Sequence, residues 1–105
     1  MEQKKPYLNP KLSLPELAQQ LSISPNQLSQ IINRQAEVNF YDFVNKYRVE
    51  EFLQNAMRNK NFSLLALALD AGFNSKSSFN NIFKKQKGIS PSQYLSKIQN
   101  QQYQA

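Results

Sequence analysis

Apolar residues recur along most of the chain at spacings of three and four, which is the period of an amphipathic helix. Strand signals are weak, because no segment alternates steadily between apolar and polar residues and no Asn-Gly or Asp-Gly pair marks a hairpin. Serines able to cap a first turn precede several of the apolar stripes. The pattern predicts an all-α fold, with helices at about residues 14–21, 25–34, 40–57, 64–71 and 76–87 and a short one from residue 91.

The longest predicted helix has an apolar stripe that changes direction. The apolar residues of its two halves lie on sides that are rotated relative to each other around the helix axis. They are Phe40, Phe43, Val44 and Tyr47 in the first half, and Val49, Phe52, Leu53, Ala56 and Met57 in the second. A stripe that rotates predicts that this helix packs against two different partners.

The chain contains an internal repeat. A shift of 50 residues places Leu17 and Ala18 on Leu67 and Ala68, apolar on apolar. Past the first turn the matching shift becomes 51, so the second copy has one extra residue in its turn. Each copy is a helix, a short turn and a second helix, with a small alanine where the two helices cross. This arrangement is typical of a helix-turn-helix unit.

The only two glycines of the chain delimit the turn and the second helix of the second copy. Gly72 falls where the first helix must stop and Gly88 just past the second helix, and a left-handed backbone at such positions costs least for glycine. The predicted organisation is a truncated leading segment at 1–11, a first helix-turn-helix at 12–39, a linking helix at 40–58, a second helix-turn-helix at 59–98 and a disordered tail at 99–105.

The second helix of each copy, termed here the recognition helix, is predicted to turn a polar face outward. The apolar residues placed inward are Leu28, Ile31 and Ile32 in the first copy and Phe79, Ile82 and Phe83 in the second. The outward positions hold amides, hydroxyls and cations. Amides can pair with adenine, and lysine or arginine can reach guanine or phosphate, so these faces suit the major groove of DNA.

Charge and composition narrow the function classes. The formal net charge of +6 favours a polyanionic partner, and no acidic residue follows Asp70. The chain has no cysteine and no histidine, which leaves disulfides, zinc sites and imidazole catalysis without their usual residues. The carboxylates are scattered, so we expect no enzyme activity, no cofactor and no metal. No signal peptide or membrane-spanning run is visible, and we expect a cytoplasmic protein without membrane contact.

Two other kinds of binding protein are compatible with a helical chain. A helical protein–protein interaction module would use the same amphipathic helices, but it predicts an exposed apolar patch, whereas the predicted outward faces are polar. An RNA-binding domain would usually turn aromatic rings outward to stack on bases, whereas the phenylalanines here fall on inward stripes.

The length of the linking helix supports DNA. A helix of about 18 residues is about 27 Å long. With the helix widths added, it can hold the two recognition helices about 34 Å apart, which is one turn of B-form DNA. We therefore expect the recognition helices to enter two successive major grooves, on a site that is asymmetric because the helices differ in sequence.

From about Leu12 to Tyr94 the chain resembles the C-terminal DNA-binding domain of AraC/XylS-family transcriptional regulators. The resemblance is most specific in ALDAGFNSKSSFNNIFKKQKGISPSQY, where the signature positions are Gly72, Phe73, Phe79, Phe83, Lys84, Gly88, Pro91 and Tyr94. It implies two homeodomain-like helix-turn-helix units, double-stranded DNA as partner and a bacterial regulator that activates or represses promoters. It also implies RNA polymerase as a candidate partner and a sensor or dimerisation domain that precedes residue 1 in the full-length protein.

The resemblance also implies roles for the outward residues. Those expected to face bases are Asn26, Ser29, Gln30, Asn33, Lys76, Ser77, Ser78 and Asn81. Those expected to contact phosphates are Gln27, Arg34, Asn80, Lys84 and Lys85.

Overall fold

The computed structural model describes residues 5–36, 39–58 and 61–103, and over these residues the chain is all-α. A short 3₁₀ turn at Pro6–Leu8 precedes six α-helices. They are α1 (Leu14–Gln20), α2 (Pro25–Ala36), α3 (Phe40–Arg58), α4 (Leu64–Asp70), α5 (Lys76–Lys87) and α6 (Pro91–Tyr103). The predicted fold class is confirmed. None of the described helices is long and apolar enough to cross a membrane.

Side-chain caps explain where the helices begin. The hydroxyl of Ser13 accepts a hydrogen bond from the backbone N–H three residues ahead, and Ser24, Ser63, Ser75 and Ser90 do the same at the starts of their helices. Each cap satisfies a backbone donor that the first turn leaves without a partner. The α3 helix begins differently, since Asp42 N–H donates to Asn39 Oδ1 at 2.9 Å. The sequence pattern did not mark this asparagine.

The two helix-turn-helix turns have the same hydrogen bonds. In the first, Ile23 N–H donates to Ala18 O and Ser22 N–H to Gln19 O; in the second, Phe73 N–H donates to Ala68 O and Gly72 N–H to Leu69 O. This pair of bonds closes the C-terminus of a helix and requires a left-handed residue just after it. That residue is Gly72 with φ of 103° in the second turn and Ser22 with φ of 60° in the first.

The α3 helix belongs to two separate hydrophobic cores, as its rotated stripe predicted. Val44 is buried in the first core with α1 and α2, and Phe40, Phe43 and Tyr47 pack against that core. The second half of α3 enters the second core with α4 and α5, through Val49, Phe52, Leu53 and Ala56. Met57, predicted to continue the stripe, is instead exposed at the end of the helix.

Aromatic rings hold α5 against α3 in the second core. The ring centroid of Phe52 lies 4.6 Å from that of Phe79 and 5.8 Å from that of Phe83. Phe83 also meets Tyr94 of α6 edge to face at 5.5 Å. Rings in tilted and edge-to-face contact stabilise a core beyond their buried area. The second recognition helix is therefore fixed from both sides, by the linking helix and by α6.

The leading segment is part of the fold, although the sequence pattern predicts no element there. Tyr7 is buried in the first core and stacks on Tyr47 at 5.6 Å between ring centroids. The buried guanidinium of Arg48 donates from Nε to Tyr7 O at 2.8 Å and from Nη2 to Asn9 O at 3.0 Å. Lys5 Nζ lies 2.9 Å from the Oε1 atom of the buried Glu51. These contacts tie residues 5–9 to α3.

The last helix is longer than the sequence pattern predicts. The α6 helix continues to Tyr103, where a disordered tail was expected from residue 99; residues 104 and 105 lie outside the described part. Glutamine has a helix propensity close to that of lysine and glutamate, so a glutamine-rich segment can extend a helix that has already started.

Candidate nucleic-acid interface

Each of the two predicted DNA-reading faces has a ridge of three exposed side chains at its centre, and the two ridges occupy equivalent positions of the repeat. Asn26, Gln30 and Asn33 of α2 are exposed and spaced by four and three residues, which places them on one side of the helix. We call these three residues the α2 ridge. Their equivalents at the shift of 51 form the α5 ridge, which consists of Ser77, Asn81 and Lys84, all exposed.

Two of the three serines predicted to face bases lie beside the ridges rather than on them. Ser29 and Ser78 are half-buried, each next in sequence to a buried core residue, Leu28 or Phe79. Ser78 N–H is in addition taken up by the cap of α5, since it donates to Ser75 Oγ at 3.2 Å. Both hydroxyls therefore lie at the edge of a reading face.

Ile31 does not point into the core as predicted, because 45% of its surface is exposed. Its equivalent Ile82 is half-buried and packs against the second core, with α3 alongside. The repeat therefore predicted an inward position for both isoleucines, although only Ile82 packs against a core.

Among the predicted phosphate contacts, Gln27 has a local structural role. Its side-chain oxygen accepts a hydrogen bond from Ser24 N–H at 2.9 Å, while Gln27 N–H donates to Ser24 Oγ at 3.1 Å. This reciprocal pair is a capping box. It fixes the side chain of Gln27 at the N-terminus of α2 and leaves its amide nitrogen as the group able to donate to a phosphate.

The cations of α5 divide between two flanks of the helix. On the flank that faces α3, Lys85 Nζ lies 3.8 Å from Asp42 and Lys87 Nζ lies 3.2 Å from Glu50. On the opposite flank, Lys76 and Lys84 line a groove with Asn80, and neither lysine forms an ion pair within the part of the chain that the structure describes. Arg34, the other predicted phosphate contact of α2, is exposed.

Sequence reasoning gave no structural role to Arg48, which holds the leading segment against α3. Burial of its guanidinium lowers its pKa from the ordinary arginine value. The backbone of Gly72 lies so close to the leading segment that a Cβ there would collide with Tyr7 O and lie 3.0 Å from Arg48 Nε. The one signal in the sequence was a cation on an otherwise apolar stripe of α3.

The molecule is long enough for the predicted mode of binding. Its principal extents are 47 × 25 × 24 Å. The 19 residues of α3 alone span about 28 Å at the helical rise. A separation of about 34 Å between the reading faces fits within the long dimension, and it stays a prediction.

Solved structures with the same fold include a domain of a response regulator and a DNA-binding transcriptional regulator. The C-terminal domain of AraT, a response regulator from Geobacillus stearothermophilus, is 28% identical with a TM-score of 0.73, over 86% of this chain and 74% of that one. A DNA-binding transcriptional dual regulator from Escherichia coli K-12 is 25% identical with a TM-score of 0.69, over 83% and 77%.

A third structure shares the fold alone. The C-terminal domain of the two-component response regulator yesN from Fusobacterium nucleatum is 24% identical with a TM-score of 0.72, over 87% of each chain. No protein among the curated ones matches the chain. The profile described as "Helix-turn-helix domain" matches residues 17–97, which include most of both helix-turn-helix units and the whole linking helix. The chain therefore belongs to the AraC-type helix-turn-helix domain family.

Proposed function

We propose that the chain is the DNA-binding part of a bacterial transcriptional regulator and that it reads an asymmetric duplex site with α2 and α5 in two successive major grooves. The observation that carries the proposal is the pair of equivalent polar ridges on a duplicated scaffold. Two turns with the same hydrogen bonds present the α2 ridge and the α5 ridge at the same place in each unit. A solvated helix surface has no reason to be duplicated in this way.

The chemistry of the ridges suits base reading. Asn26, Gln30, Asn33 and Asn81 carry amides, which can donate and accept together at the major-groove edge of adenine, and Lys84 can reach a guanine or a phosphate. In this proposal the base-facing residues are Asn26, Ser29, Gln30, Asn33, Lys76, Ser77, Ser78 and Asn81. The phosphate contacts are Gln27, Arg34, Asn80, Lys84 and Lys85.

The regulator would act in the cytoplasm, where bacterial DNA is. We further propose that a sensor or dimerisation domain precedes this chain in the full-length protein and that RNA polymerase is a partner at the promoter. Both proposals depend on the family of the chain rather than on a contact within it.

Selection of bound duplexes from a random pool tests the proposed function. We expect enrichment of one asymmetric site with two specified patches whose centres are about 10 base pairs apart. The matched control is the Asn33→Ala, Asn81→Ala double variant, which should lose base preference in both patches while retaining salt-sensitive binding. Enrichment of a palindrome, or no enrichment over the starting pool, would contradict the proposal.

One observation favours a second function, that of a protein-interaction module. Leu65 and Leu69, four residues apart on the outer side of α4, are both exposed, and Phe62 just before the helix is exposed as well. A cluster of exposed apolar side chains is typical of a protein contact. If this face binds a protein, Leu69→Gln should abolish that contact and leave DNA binding unchanged.

A further inference from the structure

A groove on the second unit runs between α4, α5 and the start of α6, with a volume of about 450 Å³. We call it the α5–α6 groove. Its polar lining comes from α5, from the serine that caps α6 and from the first turn of α6: Lys76, Asn80, Asn81, Lys84, Ser90 and Ser92. Its apolar lining includes Phe79 and Pro91, both buried, so its base belongs to the packed second core.

The charge of the groove is of one sign. It contains two lysines and no carboxylate among its lining residues. The groove on the other flank of α5 differs, because the two lysines that α5 contributes to it, Lys85 and Lys87, face Asp42 and Glu50 of α3. The unneutralised cations of α5 are therefore on the side of α6, which is where a polyanion would be attracted.

The start of α6 adds donors to the same groove. Ser90 Oγ accepts from Gln93 N–H at 3.3 Å and lies 3.4 Å from Ser92 Oγ. Ser92 is exposed, and its hydroxyl is not used in the cap of α6. Hydroxyls, amides and lysines are the groups that proteins use to hold a DNA backbone in register.

We propose that the α5–α6 groove receives a stretch of DNA backbone and that Ser92 contacts a phosphate there, with Lys76 and Lys84 on either side. This inference moves Lys76 from the base-facing residues of the proposed function to the phosphate contacts. This rests on the proposed function and refines it, since it assigns a strand of the duplex to one flank of α5. Asn81 and Lys84 belong both to the groove lining and to the α5 ridge. With the backbone in this groove, they lie at the border between that backbone and the adjoining major groove. Lys85 then lies toward the opposite strand, where it would exchange Asp42 for a phosphate.

A matched pair of charge substitutions tests the groove. Ser92→Asp puts a carboxylate into it and should not unfold the helix, because acidic residues near a helix N-terminus are favourable. Gln54→Glu adds the same charge at an exposed position of α3, outside the groove. We expect Ser92→Asp to weaken binding to every duplex roughly five- to tenfold, with little change for Gln54→Glu.

Neutral methylphosphonate groups, placed one at a time along the selected site, locate the contact. In the unchanged chain, neutralising the phosphate held in the groove should weaken binding; in the Ser92→Asp variant the same replacement should have no effect or improve binding. Lys76→Gln, which tests the groove without altering α6, should reduce sensitivity at the same phosphate.

The results that would overturn the groove alone differ from those that would also overturn the proposed function. Equal binding by Ser92→Asp and Gln54→Glu, with the same phosphate profile, would overturn the groove and leave the proposed function intact. Failure of the unchanged chain to bind any duplex would overturn both.

Discussion

The Nε of Arg48 donates a hydrogen bond to the backbone oxygen of Tyr7 at 2.8 Å, across 41 residues of sequence. The same guanidinium reaches Asn9 O at 3.0 Å and Asn45 Oδ1 at 3.1 Å. A planar fork of donors can satisfy three acceptors at once in a way that an ammonium cannot. Arg48 thus joins the leading segment to the linking helix, beside the turn of the second unit.

Replacement of Arg48 should therefore destabilise the whole domain. We expect Arg48→Lys to lower the free energy of unfolding by about 2–4 kcal/mol, because it leaves buried backbone oxygens without donors. Urea unfolding followed by circular dichroism measures the change. Arg58→Lys, at an exposed position of the same helix, is the control and should change stability by less than about 0.5 kcal/mol. Equal effects of the two variants would contradict the role of Arg48.

The two glycines should respond differently to alanine. Both have positive φ, 103° at Gly72 and 83° at Gly88, so each alanine pays a backbone cost of about 1–2 kcal/mol. Only at Gly72 would the new Cβ also collide with Tyr7 O; nothing lies within 4 Å at Gly88. We expect Gly72→Ala to cost at least about 2 kcal/mol more than Gly88→Ala in chemical unfolding. Similar costs would show that the leading segment is not packed against this turn.

Ser22 offers the converse test, because it has the left-handed conformation without being glycine. Ser22→Gly should raise the free energy of unfolding by about 0.5–1 kcal/mol, since the Cβ strain is relieved and part of the gain is lost to unfolded-chain entropy. As a control, Ser96→Gly within α6 should lower it by a similar amount. Thermal unfolding of both variants is sufficient, and a loss of stability in Ser22→Gly would be the contrary result.

Adjacent lysines of α5 should differ in DNA binding. Lys84→Ala should weaken binding to all duplexes and reduce the slope of log K against log salt by about one. Lys85→Ala should have a smaller effect, because Lys85 must first give up its contact with Asp42, at 3.8 Å. Fluorescence anisotropy at several salt concentrations measures both. A loss confined to the preferred site in Lys84→Ala would instead indicate that Lys84 reads a base.

The ion pair of Lys5 with Glu51 predicts a pH dependence of stability. The hydrogen bond to Glu51, followed by its charge, raises the pKa of Lys5 above 10.5. Because the pKa of Lys5 is higher in the folded chain, its ion pair contributes its full stability at pH values below the unfolded lysine pKa of about 10.4. That contribution is lost as the pH rises through the pKa of Lys5 in the folded chain. The stability difference between the unchanged chain and Lys5→Gln should be constant from neutral pH to about 10 and then shrink. A difference that persisted unchanged above that range would refute the assignment.

Much of the scaffold could be predicted from sequence because its signals are local. Each serine cap precedes its helix directly, and the rotation of the α3 stripe is visible in the order of residues. Arg48 could not be placed this way, since its partners are backbone oxygens 39 and 41 residues away, which leave no mark in the sequence. The prediction for Ile31 was wrong because it treated Ile31 and its equivalent Ile82 alike. Ile82 has α3 alongside it, and a repeat in the sequence does not imply the same neighbour for Ile31. The division of the ridge residues between bases and phosphates stays a prediction.

A single uninterrupted helix carries Val44 of one core and Val49 of the other. The rotation of one unit relative to the other about the axis of α3 is therefore set by the number of residues between these two valines. One residue inserted between these valines would turn the second unit by about 100° and move it by about 1.5 Å along the axis. Such a variant would keep both units folded and every DNA-facing side chain in place, yet it could not engage both grooves of one duplex. The number of residues in α3 is thus as necessary for recognition of the DNA site as the side chains that face the bases.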